Sequence, residues 1–218
     1  MLTGFSSKTA NAEAPALKPA AHLLGIVQHI LASQDNARVT LPGMGSLTVL
    51  PQRQEYHADV ENMEAFSTSS AADFEVTILD NSALASISHS GKDIRDLLWQ
   101  LAFYIYEGSL IEGCSENDVI QFSRWPNLTR LPITPNAARI SALLTRHPTS
   151  ITLVRRVLGI DKSEVNRVIS AAFSAGIINT ISRGPSLVSS EPLLVEPKIP
   201  EPQRAGLWNS LFAKISSL

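Results

Sequence analysis

A chain of 218 residues with 44% hydrophobic and 17% charged residues has ordinary soluble composition and the length for two small domains. Its formal net charge of −2 excludes strong long-range attraction of the whole chain to a polyanion. A single cysteine, Cys114, excludes an internal disulfide framework and fits a reducing compartment, where it is expected as a semi-buried small hydrophobe.

Residues 1–19 are rich in Ala, Ser, Pro and Lys without periodicity and are expected to form a flexible arm. They lack a basic region followed by an apolar core, and no apolar run in the chain approaches the length of a membrane span; a cytoplasmic location is expected. Residues 20–33 read as a helix with Leu23, Leu24, Val27, Ile30 and Leu31 inward. His22 and His29 lie seven apart with no second ligand pair nearby, so no metal site is expected there.

Short extended runs follow at 38–41, 46–50, 74–79 and 84–88. Pro42-Gly43-Met44-Gly45 lacks the Lys-Ser/Thr ending of a phosphate loop and reads as a hairpin turn. The polar stretch 52–72 reads as a loop or short helix over the sheet. In 90–106, Ser90 can cap a helix with two apolar stripes, one of Ile94, Leu97, Leu98, Leu101 and Ile105, the other of Trp99, Phe103 and Tyr106. A helix apolar on two sides is normally buried between layers, and the aromatic density speaks first for core. Residues 118–124 read as a strand, completing an expected α+β domain over 20–130.

The next module spans 134–190. Thr134-Pro135 opens a first helix carrying Ile140, Leu143 and Leu144, which ends near His147 because Pro148 disfavours helical geometry before it. Thr149 or Ser150 can cap a second helix, with Leu153, Val154, Val157 and Leu158 as its apolar stripe, Arg155 and Arg156 outward, and Gly159 as its stop. Asp161 and Glu164 have the spacing of a capping box, and Val165, Val168, Ile169, Ala172 and Phe173 commit one face of the third helix to a core. Gly176 closes that helix; 177–181 reads as a strand, and Leu187-Val188 can return after the Gly184-Pro185-Ser186 turn.

Leu158-Gly159-Ile160-Asp161 between two helices, and Ala175-Gly176-Ile177-Ile178 after the third, resemble the winged helix-turn-helix superfamily of bacterial regulators. The resemblance implies a fold of three helices plus a β-wing. With the family's DNA-reading geometry, Lys162, Ser163, Asn166, Arg167 and Ser170 would face the major groove while Arg155, Arg156 and Arg183 hold phosphates. Residues 135–190 carry seven Lys or Arg against Asp161 and Glu164, whereas 1–134 carry eight cations and fifteen anions. The same polar residues equally suit a solvated helix face or a protein contact. The segments DIRDLLWQLAFYIYEGSLIEGC, RWPNLTRLP and LLTRHPTS, with the amphipathic end of the chain, are similar to an uncharacterised group of bacterial proteins associated with small Ras-like GTPases and surface-motility signalling. That resemblance implies a signalling adaptor.

The tail divides into a Pro-rich linker, 191–203, and an amphipathic helix, 204–218. Leu207, Trp208, Leu211, Phe212, Ile215 and Leu218 share one helical face, a candidate partner-binding stripe. No HExxH, paired CxxC, GxSxG or complete phosphate loop occurs, so neither enzymatic activity nor a cofactor or metal is expected. The expected fold is an α+β domain, then a winged-helix domain, then the terminal helix. The expected function is a non-enzymatic regulatory or signalling adaptor with protein partners; the alternative is a DNA-binding transcriptional regulator.

Overall fold

The amino-terminal half is built from short strands whose apolar residues alternate inward under two helices. The computed structural model describes residues 21–80, 84, 87 and 90–183. Helix α1 (Leu23–Ser33) buries Leu23, Leu24, Val27 and Ile30 and stops at Gln34, a left-handed residue whose amide bonds the Ile30 carbonyl. Strands β1 (Ala37–Leu41) and β2 (Gly45–Leu50) form a hairpin through the expected turn. Gly45 there has φ 126°, and a Cβ would fall 2.1 Å from the Asp59 carbonyl oxygen, so no larger residue fits.

The stretch 52–72, expected as a loop or short helix, holds a short helix, α2 (Met63–Thr68), and before it a strand that was not expected, β3 (Glu55–Val60). The alternation Glu-Tyr-His-Ala-Asp-Val puts Tyr56, Ala58 and Val60 against the core, although the stretch is polar on average. Strands β4 (Glu75–Ile78) and β5 (Lys92–Asp93) complete a five-stranded antiparallel sheet of order β4-β1-β2-β3-β5. Of the strand expected at 84–88, only Leu84 and Ile87 are described, and neither lies in a strand.

Helix α3 (Ile94–Ile105) joins the two halves. Asp93 caps it by accepting from the Arg95 amide at 2.9 Å; Ser90, the expected cap, instead donates to Glu55 at 3.5 Å. Ile94, Leu97, Leu101 and Ile105 enter the core beneath the large sheet, joined there by Tyr106. Trp99 and Phe103, from the opposite stripe, enter a second core. The Trp99 indole N–H donates to the Pro132 carbonyl at 3.0 Å, satisfying the one polar group of a fully buried ring.

The second core is closed by helices α4 (Ala137–Arg146), α5 (Ile151–Leu158) and α6 (Lys162–Ser174). Strand β6 (Val119–Phe122) lies between β7 (Thr149–Ser150) and β8 (Ile178–Ser182) in a three-stranded antiparallel sheet. Val119–Phe122, expected with the amino-terminal domain, therefore pairs with strands of the later module, and all described residues fall in one compact unit, Met1–Ser186. The architecture is α+β, helices with antiparallel sheets. The arm 1–19, the returning strand at Leu187-Val188, the linker 191–203 and the terminal stripe of Leu207, Trp208, Leu211, Phe212 and Ile215 lie outside the described residues.

Candidate functional site

Helix α6 carries most of the candidate residues. Asp161 caps it, its Oδ2 accepting from the Ser163 amide at 2.7 Å and from the Ser163 hydroxyl at 2.6 Å, which holds its carboxyl below the usual value. Glu164 does not fold back to complete a capping box. Its Oε1 accepts from the Asn136 amide at 2.7 Å and its Oε2 from Asn136 Nδ2 at 2.9 Å, at the start of α4. The cap of that helix is Asn136, two residues later than the Thr134 cap the sequence implies, and the Glu164 carboxylate from another helix satisfies the Asn136 donors. Burial opposes ionisation of Glu164, but the hydrogen bonds from Asn136 prevail and leave its pKa lowered.

The polar face expected to point outward from α6 is only partly exposed. Lys162 and Ser163 face solvent, but Asn166 is 1% exposed and Ser170 fully buried. Asn166 Nδ2 donates to the Gly108 carbonyl at 2.9 Å. Ser170 Oγ accepts from the Ile111 amide at 3.0 Å and donates to the Ser109 carbonyl at 3.3 Å. The cause is α3: it packs along α6, and the segment following it, 107–111, runs over α6 with backbone groups that need partners. Gly108 lies so close that an added Cβ would approach Ser163 Cβ to 3.2 Å.

Four of the five candidate cations are also engaged. The Arg167 guanidinium sits 5.1 Å from the Phe103 ring centroid and 3.8 Å from Glu107 Oε1. Arg155 Nη1 meets Glu116 Oε2 at 3.1 Å, and Lys162 pairs with the other oxygen of the same carboxylate. Arg183 donates to the Gly113 carbonyl at 3.0 Å. Arg156 is exposed and makes no ion pair among the described residues. The structure thus brings Arg155 and Lys162 together on Glu116, leaves Arg156 and Ser163 in solvent, and places Asn166 and Ser170 in the interior.

Helix α5 departs from its expected stripe. Ile151 and Val154 fill the core, while Leu153 and Val157 are 43% and 60% exposed and, four residues apart, lie on one face. Ser150 caps the helix through the Leu153 amide at 3.3 Å, so its first residue, Ile151, sets the buried face and rotates Leu153 and Val157 outward.

At the junction of the two halves, Asp93, Arg95, Asp96, Arg124, Trp125 and Arg130 border a notch of about 260 Å³. Arg95 Nη2 pairs with Asp93 at 2.7 Å, holding that carboxyl below its usual value. Burial and the neighbouring Asp93 charge raise the pKa of Asp96. Trp125 is 51% exposed. Arg95 is remote in sequence from Arg124, Trp125 and Arg130, so no local pattern announces the notch, and the density of Arg and Trp over 124–130 is its one sequence signal. A shallower hollow of about 560 Å³ on the open face of the large sheet is bordered by Arg38, Thr48, His57, Asp59 and Lys92.

Burial pushes the Cys114 thiol up to about 11, with Asp118 adding to the shift, so thiolate is scarce at neutral pH. Among the described residues no group of three or more His, Cys, Asp or Glu is placed to hold a metal, and no helix is long and apolar enough to cross a membrane. No protein-family model, curated protein or solved structure matches the chain.

Proposed function

We propose that this chain is a non-enzymatic regulatory or signalling adaptor acting through protein–protein contacts, with 137–182 forming a winged-helix-like module. The order α4-β7-α5-α6-β8 supports the module. β6 takes the place beside β8 that a wing's returning strand would fill. The observation that carries the functional reading is the burial of Asn166 and Ser170 beneath 107–111, which removes the central polar residues of the third helix from any ligand. Major-groove reading needs those side chains at base edges. Glu116 and Glu107 meanwhile lower the positive potential around Arg155, Lys162 and Arg167.

Exposed Leu153 and Val157 supply an apolar face of the kind a partner covers. The sequence resemblance to proteins associated with Ras-like GTPases and surface motility names a bacterial signalling system to search first. A photo-crosslinking side chain at position 157, used in cells of the organism of origin, tests the reading. One discrete adduct that disappears with Leu153→Asp is the expected result. Absence of adducts together with tight, salt-dependent binding to duplex DNA would instead favour the transcriptional regulator, acting through surfaces other than the face of α6.

A further inference from the structure

The notch between the two halves has the makings of a binding site, and every residue bordering it is described. Its cations come from two places, Arg95 at the start of α3, and Arg124 and Arg130 in the segment that follows β6. Arg95 is committed to Asp93, with its guanidinium on both carboxylate oxygens. Arg124 and Arg130 are exposed and make no ion pair within contact distance among the described residues, though both lie near enough to Asp96 to favour its charged form. Between them in sequence stands Trp125, with half its surface in water. Arg and Trp are the residue types most concentrated at the energetic centres of protein interfaces, where a planar guanidinium grips carboxylates and an indole supplies rigid apolar area.

We propose that this notch binds an acidic peptide segment of a partner protein, with Arg124 and Arg130 pairing its carboxylate side chains and Trp125 covering the adjoining apolar residue. This rests on the adaptor reading and names the chemistry of its partner. Charge complementarity decides between ligands. Asp93 and Asp96 border the same notch, so a continuous polyanion such as a nucleic acid strand would be repelled along part of its path. A peptide can place one or two carboxylates at the arginines and leave neutral residues beside the aspartates.

The test is fluorescence anisotropy of the full chain with three labelled probes, each over a salt series: the acidic peptide Gly-Glu-Leu-Glu-Gly-Gly, which carries two carboxylate side chains, one apolar residue and neutral flanks; its basic counterpart Gly-Lys-Leu-Lys-Gly-Gly; and oligothymidylate. The acidic peptide should bind at low salt and weaken as salt rises. Arg124→Ala with Arg130→Ala should weaken it by about tenfold or more, and Trp125→Ala should act in the same direction. The double exchange Arg124→Glu and Arg130→Glu should lose the acidic peptide and acquire the basic one; because both side chains are exposed, the variants are expected to fold, as circular dichroism will check. An acidic peptide that does not bind, or binds all variants equally, overturns the proposal. Oligothymidylate that binds more tightly than the acidic peptide and is lost in the same variants also overturns it, in favour of a single-strand reader. The crosslink at position 157 does not involve the notch, so failure here leaves the adaptor reading to be judged on its own test.

Discussion

Asn166 donates its side-chain N–H to the backbone carbonyl of Gly108 at 2.9 Å, tying the middle of α6 to the segment that leaves α3. The residue best suited by type to read an adenine thus serves as an internal fastener. Asn166→Ala should therefore act on stability, costing about 1–3 kcal/mol because the Gly108 carbonyl loses its side-chain partner. Urea denaturation measures this. An unchanged midpoint combined with altered DNA affinity would reverse the assignment.

The Glu164–Asn136 contact makes stability depend on pH. Folding lowers the Glu164 pKa from its ordinary 4.5, so the folded chain holds that proton less tightly than the unfolded one. The contribution is complete above the unfolded value and is lost as pH falls through it towards the folded value. Glu164→Gln should flatten the stability profile in that acidic window, and Glu164→Ala should cost about 0.5–1.5 kcal/mol at neutral pH, because water can reach the freed Asn136 donors. Denaturation series at neutral and acidic pH would show it; parallel profiles for wild type and Glu164→Gln would count against the contact.

The exposed face of α5 should respond weakly to substitution and the buried face of α6 strongly. Val157→Ser should change stability by less than about 0.5 kcal/mol, because the side chain is 60% exposed. Ile169→Ala, fully buried, should cost about 2–5 kcal/mol. Thermal melts compare the two. A large loss for Val157→Ser would mean that the exposed face is already covered within the protein.

Glu116 sits between Arg155 and Lys162 with about a third of its side chain exposed. Glu116→Gln should shift stability by no more than about 1 kcal/mol, since partly exposed ion pairs are screened. It should raise non-specific attraction to duplex DNA at low salt and leave high-salt binding unchanged. Anisotropy across salt decides. Sequence-selective binding that survives high salt would point to the transcriptional regulator.

Because α3 supplies Leu97 and Leu101 to one core and Trp99 and Phe103 to the other, the two halves should unfold together. Trp99→Ala should cost about 3–5 kcal/mol and reduce hydrogen-exchange protection in β2 as well as in α6. Loss of protection confined to α6 would mean that the cores open separately.

Much of the secondary structure was legible from local pattern. The turn at Gly43-Met44-Gly45, the double stripe of α3 and the caps at Ser150 and Asp161 follow from periodicity and from residue chemistry that acts within one or two turns. Strand β3 was legible in principle, through the strict alternation from Glu55 to Val60, but its polar average masked it.

What only the tertiary structure decided depends on groups far apart in the chain. The pairing of β6 with β8, the reach of Glu164 to Asn136 and the notch formed by Arg95 with Arg124 and Arg130 have no local signature. Nor does the fate of Asn166 and Ser170. Their spacing places them on a polar helix face, and sequence alone treats such a face as solvated. Here the backbone of 107–111 leaves α3 with donors and acceptors that must be paired once water is excluded, and Asn166 and Ser170 are the partners within reach.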